Sequence, residues 1–146
     1  MQTAAPPDTA ALAARLRLGV TRLARKLRQE AEPGITPSML SALASVQRHE
    51  ALTMRHLCEA EQVTPPTMTR IVAALQEAGL VTRTPDPVDG RVAWVRLSPP
   101  GAKLLERSRR RKEAYLTRAL QRLEPSEVET LEEAAAILER LTEPPS

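Results

Sequence analysis

The sequence predicts an α+β fold that is mostly α-helical, and three observations carry that expectation. Phenylalanine is absent and Trp94 and Tyr115 are the only aromatic residues. The core must therefore be built from Leu, Val, Ala and Met, the composition of helices packed on helices. Apolar residues recur at spacings of three and four along most of the chain. One stretch breaks that period: Val81 to Thr84 and Val92 to Leu97 are short, rich in β-branched residues, and separated by a segment dense in turn formers.

Taken in order, residues 1–8 read as a disordered arm and residues 143–146 as a frayed tail. Thr9 to Ala31 reads as a first helix, with Leu12, Leu16, Val20, Leu23 and Leu27 on one stripe and Pro33-Gly34 as its stop. Thr36 to Arg48 is a second, with Thr36 as N-cap, Pro37 at the first helical position and Met39, Leu40, Leu43 and Val46 as its buried stripe. A short third helix follows Thr53 and ends near Glu61, and Gln62-Val63 make a turn. Thr64 opens a fourth helix that closes at Gly79, a residue suited to a C-terminal cap. The hairpin follows, tipped by Pro85-Asp86-Pro87-Val88-Asp89-Gly90-Arg91. Ser98 then caps a long helix to about Leu123, and Ser126 to Leu141 forms the last, carrying Val128, Leu131, Ala135, Leu138 and Leu141.

Helix, short turn, helix and two-stranded hairpin, in that order, make a winged helix-turn-helix. The fourth helix carries Met68, Ile71, Val72 and Leu75 as an apolar stripe. Its opposite face is expected to show Pro66, Thr67, Arg70, Ala73, Ala74 and Glu77. Small side chains there would let the backbone approach base edges in a major groove, with Thr67 and Arg70 reaching bases or phosphates. Thr64 is expected to cap this helix through the N–H of Thr67. The same profile also suits a solvated face on an ordinary bundle helix. On the hairpin, Arg91 at a thin tip suits the negative potential of a minor groove, and Arg83 lies lower, where it could meet phosphate. Asp89 would repel phosphate, so it is expected to bond Arg91 or to shape the turn.

From about Ile35 to Leu105 the chain resembles the MarR (multiple antibiotic resistance) family of bacterial regulators. The matching stretches are Ile35-Thr36-Pro37-Ser38-Met39-Leu40, Val63 to Val72, Glu77-Ala78-Gly79-Leu80-Val81, the wing from Pro85 to Arg91, and Leu97-Ser98-Pro99-Pro100-Gly101. The resemblance implies a DNA-binding transcriptional regulator acting as a homodimer on a pseudo-palindromic operator of double-stranded DNA; a repressor is expected, with an activator left open. It implies dimerisation helices at residues 9–34 and 124–146, a winged-helix lobe at 35–100 and a linking helix at 101–123. It places Thr64, Thr67, Thr69 and Arg70 on the recognition helix and Asp89 and Arg91 on the wing's Asp-x-Arg element. For many members it implies release by a small phenolic or other aromatic effector. The effector would lie between the dimer helices and the DNA-binding lobe, lined from the first, second and fifth helices. The expected site residues are thus Thr64, Pro66, Thr67, Thr69, Arg70, Arg83, Asp89 and Arg91. A winged helix used as a protein-interaction module is the alternative reading.

Other classes find little support. The net charge of +3 permits a nucleic-acid partner without demanding one. Cys58 is the only cysteine; with no internal disulfide available, a reducing cytoplasm is expected. Its position beside Met54 and Leu57 suggests a buried, inert thiol over a redox sensor. His49, His56 and Cys58 match no compact metal spacing, and no cofactor or membrane partner is expected. No nucleophile triad, phosphate-binding Gly loop or carboxylate pair stands out, which speaks against an enzyme. The basic run Arg107 to Lys112 reads as a solvated helix face.

Overall fold

The computed structural model describes residue 6 and residues 8–144. Most of the arm expected over residues 1–8, and the last two residues of the tail, lie outside the described residues. The elements run α1 (Thr9–Arg28), α2 (Pro37–His49), β1 (Ala51–Thr53), α3 (Met54–Glu61), α4 (Pro65–Glu77), β2 (Val81–Pro85), β3 (Ala93–Leu97), α5 (Pro99–Leu120) and α6 (Pro125–Thr142). The chain divides into two units, one ending at Lys112 and the other beginning at Glu113, within α5.

The helix starts follow from short polar side chains that satisfy free N–H groups. The Asp8 carboxylate, expected to belong to the arm, accepts from the N–H groups of Ala10 and Ala11 at 3.0 and 3.3 Å. The Thr36 hydroxyl accepts from Met39 N–H and the Thr53 hydroxyl from His56 N–H, each at 3.1 Å. The α1 helix ends three residues before Ala31. There Glu30 and Ala31 donate to the carbonyls of Leu27 and Arg28, a tightened last turn ahead of Pro33.

The sheet is antiparallel in the order β1-β3-β2, with Leu52 opposite Val95 and Val81 opposite Leu97. Strand β1 was not expected, because three residues are too few to display a period of two. It adds Leu52 to a core of Met39, Leu43, Val46, Leu57, Met68, Val72, Leu75, Val81, Val95 and Leu104. No aromatic side chain is among them. Between α2 and α3 the Glu61 carboxylate accepts from the hydroxyls of Ser41, at 2.6 Å, and buried Ser45.

The start of α5 is fastened to the end of α4. Gly79 takes φ +74°, open to glycine without strain, and Leu80 N–H donates to Leu75 O at 2.9 Å. The Ser98 hydroxyl donates to Gly79 O at 2.5 Å and accepts from Gly101 N–H at 3.1 Å, so it caps α5 as expected. A Cβ on Gly101 would lie 2.1 Å from Leu80 O, so only glycine permits this approach.

In the first unit, α1 buries no residue, and Leu12, Leu16, Val20 and Leu23 are exposed. In the second, α6 likewise buries none, and Val128, Leu131, Leu138 and Leu141 are exposed. No helix among the described residues is long and apolar enough to cross a membrane.

Candidate nucleic-acid interface

The α4 helix packs Met68, Val72 and Leu75 into the core, with Ile71 half-buried beside them. Pro66, Thr69, Arg70, Ala73, Gln76 and Glu77 are exposed. That face is turned from the expected one: Thr67 and Ala74 sit half-buried at one border, and Thr69 and Gln76 lie open at the other. Thr67 and Arg70 line a groove of about 340 Å³ with Thr36, Ser38 and Met39 at the start of α2. Thr69 faces the α3 side, in a groove of about 400 Å³ with Met54, Arg55, Cys58 and Pro65. Its hydroxyl donates back to Pro65 O at 2.9 Å.

The expected capping bond from Thr64 is absent. Its hydroxyl instead donates to the Thr67 hydroxyl at 3.0 Å, and no side chain caps the helix. Pro65 and Pro66 fill the first two helical positions and carry no N–H, so Thr67 supplies the first N–H of the helix. Met68 N–H already bonds Thr64 O, so the uncapped helix start offers a phosphate one free N–H, on Thr67, together with the positive end of the helix dipole and the Thr64 and Thr67 hydroxyls.

The wing is built on two carboxylates. Asp86 accepts from Trp94 Nε1 at 2.8 Å, from Val88 N–H at 2.9 Å and from Asp89 N–H at 3.0 Å. Foremost the Trp94 bond, and then the two backbone bonds, hold its carboxyl below the usual aspartate range. Asp89 accepts from Arg91 through Nε and N–H, each at 3.1 Å, and through a terminal guanidinium nitrogen at 3.4 Å. The Arg91 guanidinium likewise lowers the Asp89 carboxyl. Both roles expected of Asp89, bonding Arg91 and shaping the turn, are therefore present. The Arg91 side chain stays 92% exposed, and Val88 is the most exposed apolar residue of the wing.

Arg83 lies on β2 opposite Val95 and is exposed. It lines a cleft of about 400 Å³ with Arg91 of the wing and with Arg55 and His56 at the start of α3. Arg55 and His56 were not expected as site residues. On so short a helix, nothing in the sequence says that its first turn meets the wing. Asp86 and Trp94 were missed for a similar reason: eight residues separate them, and only the hairpin register joins them.

Cys58 is half-buried, not fully buried as expected, because it borders the groove shared by α3 and α4. No group of three or more His, Cys, Asp or Glu side chains among the described residues could hold a metal ion. A further groove, of about 270 Å³, is lined by Leu40, Ala44 and Gln47 of α2 and by Leu105, Glu106, Ser108, Arg109 and Lys112 of α5, with no lining residue from α1. The Ser108 hydroxyl is buried there without a hydrogen-bond partner.

Residues 34–92 match a sequence profile described as MarR family. The chain is 41% identical over 138 residues to an uncharacterized HTH-type transcriptional regulator of Mycobacterium leprae, covering 93% of this chain and 96% of that one. Among solved structures it is similar to a MarR family protein from Bacillus stearothermophilus, at 25% identity and a TM-score of 0.74, covering 90% and 92% of the two chains. It also shares its fold with an S. aureus MepR mutant bound to an oligodeoxyribonucleotide, at 23% identity and a TM-score of 0.71, covering 90% and 98%.

Proposed function

The chain belongs to the MarR family of HTH-type transcriptional regulators, and from that premise we propose that it is a homodimeric repressor of a pseudo-palindromic operator. The observation that carries the reading is the pairing of an uncapped, small-sided α4 N-terminus with a wing that holds a cation at its tip. In this reading α4 enters the major groove, and Thr69 and Arg70 read base edges there. Thr64, Pro66 and Thr67 bring the helix start against phosphate. The wing carries Arg91, oriented by Asp89, into the adjacent minor groove, and Arg83 meets the backbone.

A second copy is part of the proposal. The exposed leucines of α1 and of α6 are the kind of apolar surface that a partner chain covers. Two recognition helices would then occupy successive major grooves, roughly 34–36 Å apart. Release by a small phenolic or other aromatic effector also belongs to it. The groove between α2 and α5 supports this with Leu40, Ala44 and Leu105 beside a buried hydroxyl, although Glu106 and Lys112 also line it and Glu106 bonds the Arg109 guanidinium.

Retardation of the DNA upstream of the protein's own gene in a native gel tests the function. Site-specific, salt-sensitive retardation is expected. Retardation no stronger than with random DNA would reject operator binding and favour a protein-interaction module.

A further inference from the structure

We propose that the cleft between the start of α3 and the wing is a seat for one backbone phosphodiester, with Arg55 and His56 as contacts alongside Arg83, while Arg91 at the rim of the cleft stays with the minor groove. The inference rests on the operator-binding reading above and assigns a site within it. Three arginines and a histidine from three separate segments line this one cleft, and none of the residues lining it is acidic. Arg55 also lines the neighbouring groove that reaches Pro65 and Thr69 of α4, so this one side chain, paired there with Glu59, joins the cleft to the recognition helix.

The geometry of a duplex gives this continuity a purpose. A major groove and its adjacent minor groove are separated by one sugar-phosphate ridge. A protein that places α4 in the first and the wing in the second must straddle that ridge. In that pose the ridge would pass over the cleft, since in helix-turn-helix proteins the helix before the recognition helix crosses the backbone. Of these contacts Arg55 has an internal partner, Glu59 at 3.4 Å. The Arg55 side chain is largely exposed, so this pair contributes little in water and yields readily to a phosphate held by several donors.

The test uses duplexes selected by the full-length wild-type protein from a random pool, each then remade with one phosphodiester replaced by a neutral methylphosphonate. At one phosphate per half-site the replacement should weaken wild-type binding about tenfold, the size of a lost charge-assisted hydrogen bond. Arg55→Ala and His56→Ala each remove one of several donors to that phosphate, so the same replacement should cost each of them clearly less than the wild type, about threefold. Lys103→Ala, exposed on α5 and outside the cleft, should keep the wild-type response. Inorganic phosphate added at constant ionic strength should not displace the duplex. If it does so at low millimolar concentration, the cleft binds a free anion and the assignment is overturned. It is also overturned if Arg55→Ala and His56→Ala respond to every methylphosphonate as the wild type does. If the wild type selects no sequence at all, the operator reading fails and this site fails with it; a selected sequence without a coupled phosphate rejects the cleft alone.

Discussion

Arg91 reaches its position on the wing because Asp89, two residues earlier, bonds both its backbone N–H and its guanidinium. Arg91→Ala should weaken operator binding and lower the slope of log affinity against log salt by about one unit. Unchanged affinity and slope would remove the wing from the interface. Asp86 is the second anchor. Its carboxyl is held below the usual range by bonds to its charged form, so its hold on the wing is present at neutral pH and is lost only as pH falls through that lowered value. Trp94 fluorescence should therefore stay constant down to about pH 4, the ordinary aspartate value, and change only below it. Asp86→Ala should show the altered fluorescence at neutral pH, and a wild-type transition centred above the ordinary value would contradict the tether. The Asp89–Arg91 pair was legible because both partners sit in one turn. The Asp86–Trp94 bond was not, because it depends on strand register. Thr64 misled for a chemical reason: with prolines at the next two positions, its hydroxyl turned to the Thr67 hydroxyl and not to the backbone.

At the scale of elements, the joint between α4 and α5 sets where the hairpin leaves the core. Gly101→Ala would drive a methyl to 2.1 Å from a backbone carbonyl that is itself fixed by the N–H of Ser98. The substitution should cost about 1–3 kcal/mol and lower the melting temperature by several degrees. A melting temperature equal to the wild type's would contradict the close approach. Nearly every helix was legible, since caps at Thr36 and Ser98 and a stop at Gly79 announce themselves locally. The small rotation of the α4 face was not legible. An ideal wheel fixes which residues share a side but not how the sheet and α2 shade its borders, which is why Thr67 is half-buried and Gln76 open.

For the whole molecule, the decisive surface is apolar. The exposed leucines of α1 and of α6 are stripes that the sequence displayed plainly, yet nothing in one chain says what covers them. In the proposed function a second copy covers both stripes, and its two-fold symmetry would match that of a pseudo-palindromic operator. Leu16→Glu and Leu138→Glu should each sediment as a monomer, and operator affinity should fall by about 10²-fold or more as one of two linked contacts is lost. A variant that stays dimeric would move the interface elsewhere. The central claim is that paired α4 helices read sequence, and the most direct measurement is selection of bound duplexes from a random pool by the wild type and by Arg70→Ala. The wild type should enrich an inverted repeat whose half-site centres lie about 10–10.5 base pairs apart, or a multiple of that, and Arg70→Ala should lose a defined base preference in each half. No enrichment, or the same preference in both proteins, would contradict it.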